Sequence, residues 1–345
     1  MKILKIAPLF GSAAALVVLI PNAAQAQEVT LNYDALSSLE EPLATDIGGV
    51  TVALTGLVDI PFALDIKSAD GADDSSIGFV GNFQISAETQ LDNRWTLGVA
   101  YFGQYATDAN SVFDGVDDYS DNVAGFVGTS FGTFIGGNTS GQVREQTRRS
   151  RGVGNATLAF DNFYGGLDEW GGAYVGRFGP SILSAAVDEN GDFELGATFQ
   201  RPIDKNDIRL TARIADGRYT SSDLTTRFDT KGVGLVGEIV YGSTLFDLGG
   251  GYERMESSVV DADRWFLSAG ARTQINNFTL SAEGHYGQVD GQSEKSASLG
   301  AAYALGRGLS LNAGVNYQEA SITSGGVNIV DEDEIQGLLS LRFSF

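Results

Sequence analysis

The amino-acid sequence predicts an all-β protein, a transmembrane antiparallel β-barrel of about sixteen strands. Three observations predict it. Apolar and polar residues alternate with period two in segment after segment. Very short connections between these segments alternate with mostly longer, polar ones. Past the leader, no stretch reaches the ~18 consecutive apolar residues of a membrane helix. The mean hydropathy of −0.03 fits as well, because outward apolar and inward polar residues cancel.

The elements follow in chain order. Lys2 and Lys5 precede an apolar run from Ile6 to Ile20, and Pro21 leads to the small-x-small pattern Ala24-Gln25-Ala26. This predicts a signal peptide over 1–26, cleaved before Gln27. The run is short and ends at Pro21, which disfavours a retained anchor. Residues 27–47 read as an N-terminal periplasmic segment. Leu36, Leu39 and Leu43 in it have helical spacing, which suits a short amphipathic helix or a plain flexible leader. The barrel domain is expected over 48–345.

Its candidate strands lie near 49–60, 76–90, 94–107, 122–131, 133–139, 172–178, 181–188, 192–201, 207–216, 231–241, 244–254, 263–274, 277–289, 294–304, 308–320 and 334–345. The last is the clearest: Ile335, Gly337, Leu339, Leu341, Phe343 and Phe345 share one face. A soluble sandwich also alternates, but a secreted chain built almost only of such segments favours the membrane. Short connections occur at Leu91-Asp92-Asn93, Gly132, Gly179-Pro180, Gly242-Ser243, Asn276 and Gly306-Arg307. Longer ones are expected at 61–75, 108–121, 140–171, 217–230, 255–262 and 321–333, with short members of the same set near Asn190 and Gly291. One rim facing the periplasm and the other the exterior produces this rhythm. The 45 glycines, spread among aromatic residues, read as tight turns between short strands.

Charge narrows the function classes. The chain has 44 acidic against 22 basic residues, a formal net charge of −22. Nucleic acid needs a basic surface and is excluded as a partner. With no cysteine, stability cannot come from disulfides, and a closed hydrogen-bonded barrel supplies it instead. Two acidic clusters, Asp70/Asp73/Asp74 and Asp331/Glu332/Asp333/Glu334, have the oxygen chemistry of a structural Ca²⁺ site, but neither matches an EF-hand or nonapeptide repeat, and solvated loop charge is the better reading. No other cofactor is implied. One histidine and no cysteine leave too few ligands for a hydrolytic metal centre. No serine has a nucleophile-elbow context, so an enzyme is not expected.

Parity assigns the lumen. A lipid-facing charge costs ~2–4 kcal/mol at mid-membrane, so charged residues that alternate with apolar ones point inward. Arg209, Arg213 and Arg272 are wall candidates, with Arg94 and Arg342 near the periplasmic rim. Glu88, Glu194, Glu238 and Glu283 are wall candidates of opposite sign. Trp95, Phe178, Phe246, Trp265, Phe278 and Phe345, near strand ends, suit interfacial girdles.

Two motifs carry a resemblance. The ending Leu341-Arg342-Phe343-Ser344-Phe345 resembles the C-terminal signature of Gram-negative outer-membrane proteins. Phe131-Gly132-Thr133-Phe134-Ile135-Gly136-Gly137-Asn138-Thr139-Ser140-Gly141 is similar to the tight turn and fifth strand of general-diffusion porins of the alphaproteobacterial type. The resemblance implies a water-filled outer-membrane channel for passive diffusion of small hydrophilic solutes. It implies a homotrimer in lipid and lipopolysaccharide, assembled by the barrel-assembly machinery through the last strand. It also implies that the third loop, 140–171, folds into the lumen as a constriction filtering size and charge. That loop carries Arg144, Arg148, Arg149 and Arg151, then Asp161, Asp168 and Glu169. The family sets acidic loop residues against wall arginines, and this basic first half departs from that pattern. Alternatives are a substrate-selective channel for sugars or anions, and a non-conducting adhesin or structural barrel.

Overall fold

The computed structural model describes residues 43–67, 75–106, 118–139, 141–167, 170–203, 206–221 and 226–345. Eighteen strands and one short helix occur among them: β1 (Leu43–Ile47), β2 (Val50–Lys67), β3 (Ser75–Ile77), β4 (Val80–Gln90), β5 (Thr96–Ala106), β6 (Asp118–Thr129), β7 (Gly132–Asn138), α1 (Gln142–Thr147), β8 (Trp170–Phe178), β9 (Ser181–Asp188), β10 (Phe193–Ile203), β11 (Asn206–Thr220), β12 (Arg227–Tyr241), β13 (Thr244–Glu256), β14 (Asp261–Ile275), β15 (Phe278–Val289), β16 (Gln292–Gly306), β17 (Leu309–Ser324) and β18 (Val327–Ser344). Sixteen of them, β2 and β4–β18, form a closed antiparallel barrel. β18 returns to β2 with Leu339 opposite Phe62 and Ser344 opposite Leu57. Closure satisfies every ladder within the sheet, which hydrocarbon demands because it offers no partner to a free edge.

Alternation decides which face meets lipid. Phe62, Leu97, Leu210, Leu235, Leu248, Leu267 and Leu339 are exposed on the outside. Thr198, Thr211, Glu238, Ser268, Ser298 and Ser340 alternate with such residues and are buried on the inside. Tyr252 and Trp265 are cross-strand partners, and Trp265 lies 5.7 Å from Tyr286. Phe278 packs 4.6 Å from Tyr303 at the opposite rim. Phe278 and Tyr286 sit at opposite ends of one strand, about 27 Å apart at ~3.4 Å per residue. That separation matches the ~25 Å apolar band of outer-membrane barrels.

Three features differ from the sequence reading. The connections expected at 217–230 and 321–333 are mostly strand and that at 255–262 is half strand: β11 runs through Thr220, β13 through Glu256 and β17 through Ser324. The strands are tall there because their inner ends bury an apolar cluster of Phe228, Met255, Val289, Ile322 and Ile329. The acidic run Asp331–Glu334 therefore lies on β18 instead of in a loop. The Gln318 side-chain amide donates to Glu332 and Glu334 across the ladder, at 3.3 and 3.2 Å.

Leu43, expected in a separate leader, belongs to the sheet. β1 pairs with β2 through a turn at Gly48-Gly49, whose φ angles of 62° and 86° favour glycine. β1 covers β2 from Val50 to Leu54, directly in line with the end of β18. Between them Gly56 and Phe345 exchange backbone hydrogen bonds of 2.7 and 2.9 Å. The rest of the leader, and the signal-peptide stretch, lie outside the described residues.

Candidate functional site: the loop inside the barrel

The connection from β7 to β8 does not leave the barrel. It opens with α1, whose residues Gln142, Val143, Glu145, Gln146 and Thr147 are buried. Val143 packs with Phe126, Ile135, Leu167, Ala173 and Ala186 on the inner wall. From there the loop follows the wall strand by strand. Thr198 of β10 and Arg209 of β11 donate to the Gln146 carbonyl at 3.0 and 2.8 Å. The Ser150 amide donates to Glu238 of β12 at 2.7 Å, and the Val153 amide to Ser281 of β15 at 2.9 Å. The apex is Asn155, at φ 64°, a conformation asparagine tolerates. Its side-chain amide donates to Asp59 of β2 at 3.1 Å and to Ser340 of β18 at 2.9 Å. The return limb is held by Ser296 on the Ala159 carbonyl (2.6 Å) and by the Tyr164 and Gly165 amides on Glu253 (2.9 and 2.8 Å).

Two arginines anchor these limbs. Arg149, 3 % exposed, contacts Asp247 of β13, Glu283 of β15 at 2.5 Å and Asp161 of the return limb at 3.3 Å. Burial works against its charge, but Asp161, Glu283 and Asp247 outweigh it and hold the guanidinium above its usual range. Arg264 of β14 is fully buried. It pairs with Glu253 (3.2 Å) and Glu294 (2.8 Å), donates to the carbonyls of Phe160 and Asn162, and stacks 3.8 Å over Tyr164. Removing one partner from such a buried set costs ~3–5 kcal/mol, because the remaining charges stay desolvated.

Backbone proximity explains many glycines. A side chain at Gly300 would overlap the Val153 carbonyl, and one at Gly314 would overlap Gly154 and Ala156. One at Gly232 would press on the Phe163 ring, and one at Gly270 on Arg149. The inner wall is thus recessed where the loop rests. Above the return limb, Ala159 and Phe160 join the apolar cluster of the tall strands. Tyr164 stacks on Tyr219, whose hydroxyl donates to the Ile329 carbonyl at 2.9 Å.

A family model for the Gram-negative porin matches residues 12–323. The chain belongs to the Gram-negative porin family. It is an outer-membrane channel protein. Solved structures with similar folds include OmpT of Vibrio cholerae, at TM-score 0.65 and 14 % identity over 86 % of this chain and all of that one. An anion-selective porin from Comamonas acidovorans aligns at TM-score 0.62 and 12 % identity over 86 % of this chain and all of that one. A Rhodopseudomonas blastica porin triple mutant aligns at 0.52 and 15 % over 85 % of this chain and all of that one. A search of curated proteins returns no match.

Within this porin, the sequence-nominated residues separate by setting. Arg144 lies on α1 and is half-buried. Burial, and then Arg213, pull its guanidinium below the usual range. Arg148 pairs with Glu145 at 2.5 Å and Arg151 is half-buried. Arg209 pairs with Glu238 (2.8 Å) and Arg213 with Glu194 (2.6 Å), so four wall residues become two ion pairs under the loop. Arg272 faces inward toward the short-turn rim, as does Glu88 on β4. Asp168, Glu169, Asp70, Asp73 and Asp74 lie outside the described residues. The sequence reading missed Arg264, Glu253, Glu294, Asp247 and Asn155. Inward parity on β13–β16 was the available signal for the first four. His285 is enclosed between Ser268 (2.8 Å) and Glu294 (3.1 Å), behind the Phe160 and Phe266 rings.

Proposed function

We propose that this porin is a passive, water-filled channel, without chemistry or energy input, that admits ions and small hydrophilic solutes. The supporting observation is the loop pinned inside the barrel from β10 round to Asp59 of β2, which narrows the bore of a sixteen-stranded barrel. Size exclusion at this loop is the main filter. Charge filtering is weak, because Arg149, the loop arginine most buried in the seat, is neutralised by Asp247 and Glu283 of the wall and by Asp161. Ser268, His285 and Glu294 line up, but each is buried, and Glu294 is committed to Arg264.

The finer expectations travel with this reading. The Vibrio cholerae protein has a trimer form. The outer wall of β2–β8 presents Phe62, Leu64, Ile85, Val99, Val123 and Phe134, which suits a homotrimer here. The signal peptide delivers the chain across the inner membrane, and β18 with Phe345 engages the barrel-assembly machinery. Outer-membrane lipid and lipopolysaccharide surround the barrel.

The test is bilayer conductance of refolded protein with reversal potentials in a KCl gradient. Ohmic steps with a small reversal potential are expected. A non-conducting adhesin or structural barrel would give no steps, and that result would end the channel reading.

A further inference from the structure

The hydrogen bonds and ion pairs that seat the loop run to β10–β18, and its apex reaches β2 at Asp59. Above the return limb the tall strands enclose an apolar cluster. The inner wall of β4–β6 has a different character. Its described inward residues include Asn82, Gln84, Gln104 and Asn122, and Glu88 near the short-turn rim is its one described inward carboxylate. Register sets Asn82 opposite Gln104, with two inward apolar residues interleaved: Leu57 opposite Asn82, and Phe102 between Gln84 and Asn122. Asp59, which holds the loop apex, is opposite Val80, one inward position from Asn82.

Several oxygens on this wall are buried without a hydrogen-bond partner among the described residues: Thr55 Oγ1, Asp59 Oδ1, Asn82 Oδ1, Gln104 Oε1 and Asn122 Oδ1. Thr55 and Asp59 are 4 % and 3 % exposed. Orphaned acceptors are costly unless a donor arrives. The second carboxylate oxygen of Asp59 is already taken by Arg342 and Asn155. What remains is a group of mostly uncharged acceptors flanked by amide N–H donors, beside the constriction. Hydroxyl groups both donate and accept, so they match an amide on both of its ends. A simple anion offers no donor, and a cation would find Asp59 already shared and Glu88 set apart near the short-turn rim.

We propose that the inner wall of β2 and β4–β6 is a hydrogen-bonding track that selects uncharged polyhydroxy solutes, saccharides in particular. The proposal rests on the channel reading and names its favoured substrate class. The discriminating experiment is single-channel current in KCl with maltotriose added, against poly(ethylene glycol) of equal hydrodynamic radius and against inorganic phosphate. Maltotriose is expected to reduce the current saturably, while the polymer acts only by size and phosphate does not block. The triple variant Asn82→Leu, Gln104→Leu, Asn122→Leu should raise the half-blocking concentration by roughly tenfold or more, as loss of several hydrogen bonds requires. Should the triple variant fail to fold, Asn122→Leu alone carries the same comparison with a smaller shift. Equal block by maltotriose and polymer, saturable block by phosphate, or block indifferent to these substitutions would overturn the proposal. Absence of any conductance would instead overturn the channel reading beneath it.

Discussion

The two halves of the barrel wall solve different problems. The arc from β10 to β18 is a seat: recessed by glycine, loaded with paired charges and topped by an apolar cluster. The arc from β2 to β6 is a bank of mostly small or neutral polar residues; among the described residues it hydrogen-bonds the loop at the apex through Asp59 and packs on α1 through Phe126. The same inward parity therefore means opposite things in the two arcs. On the seat, the inward charges are mostly paired with one another or with the loop, although Arg149 Nε, Arg213 Nε and Glu194 Oε2 are buried without a hydrogen-bond partner among the described residues. On the bank, a polar residue faces whatever passes. Counting inward charges around the whole circumference would confuse the two.

This contrast can be broken at the seat first. Arg264→Ala leaves Glu253 and Glu294 buried without their cation, and a loss of ~3–5 kcal/mol is expected. Thermal unfolding in detergent should show it, and an unchanged midpoint would remove Arg264 from the seat. Phe228→Ala opens a cavity in the apolar cluster and should cost ~3–5 kcal/mol with little change in conductance. A large rise in conductance would mean the cluster gates the pore. Gly300→Val drives a side chain into the Val153 carbonyl while keeping every ion pair, at ~1–3 kcal/mol for overpacking. Larger conductance and faster proteolysis of the loop are expected, and wild-type values for both would mean the recess is not needed. On the bank the effects shrink. Glu88→Gln should leave stability within ~0.5 kcal/mol and move the reversal potential by a few millivolts toward anions. A shift as large as that of an arginine variant in the seat would erase the distinction between the arcs.

Much of the barrel is legible in the sequence, and the reason is local. Leu97 and Val99, or Leu339 and Leu341, declare the lipid face through period two alone. The length of the 140–171 stretch marks the loop. The seat is less legible because its contacts are remote: Arg149 meets Asp247 and Glu283 across 98 and 134 residues. Glycines at 232, 270, 300 and 314 fall inside predicted strands with nothing local to explain them, because the group that needs their space belongs to another segment. The tall strand ends were hidden for another reason. Ile329 and Val330 are both buried, and a bulge lies between Ile322 and Thr323, so alternation breaks where the apolar cluster forms. In the candidate site, parity found Arg209, Arg213, Glu194, Glu238 and Glu283 on the inner wall, but nothing linear shows that they hold a loop.

The short strand β1 has a bearing on how the cylinder is sewn shut. A closing strand that slipped by one residue would turn every side chain of β18 to the wrong face. β1 forms with β2 across a two-glycine turn, from chain made early in synthesis, and it fills the edge of β2 up to Leu54. β18 takes that edge from Gly56 onward and ends there on Phe345. β1 is a doorstop: it leaves the last strand one parking place, and so sets the registration of the whole seam.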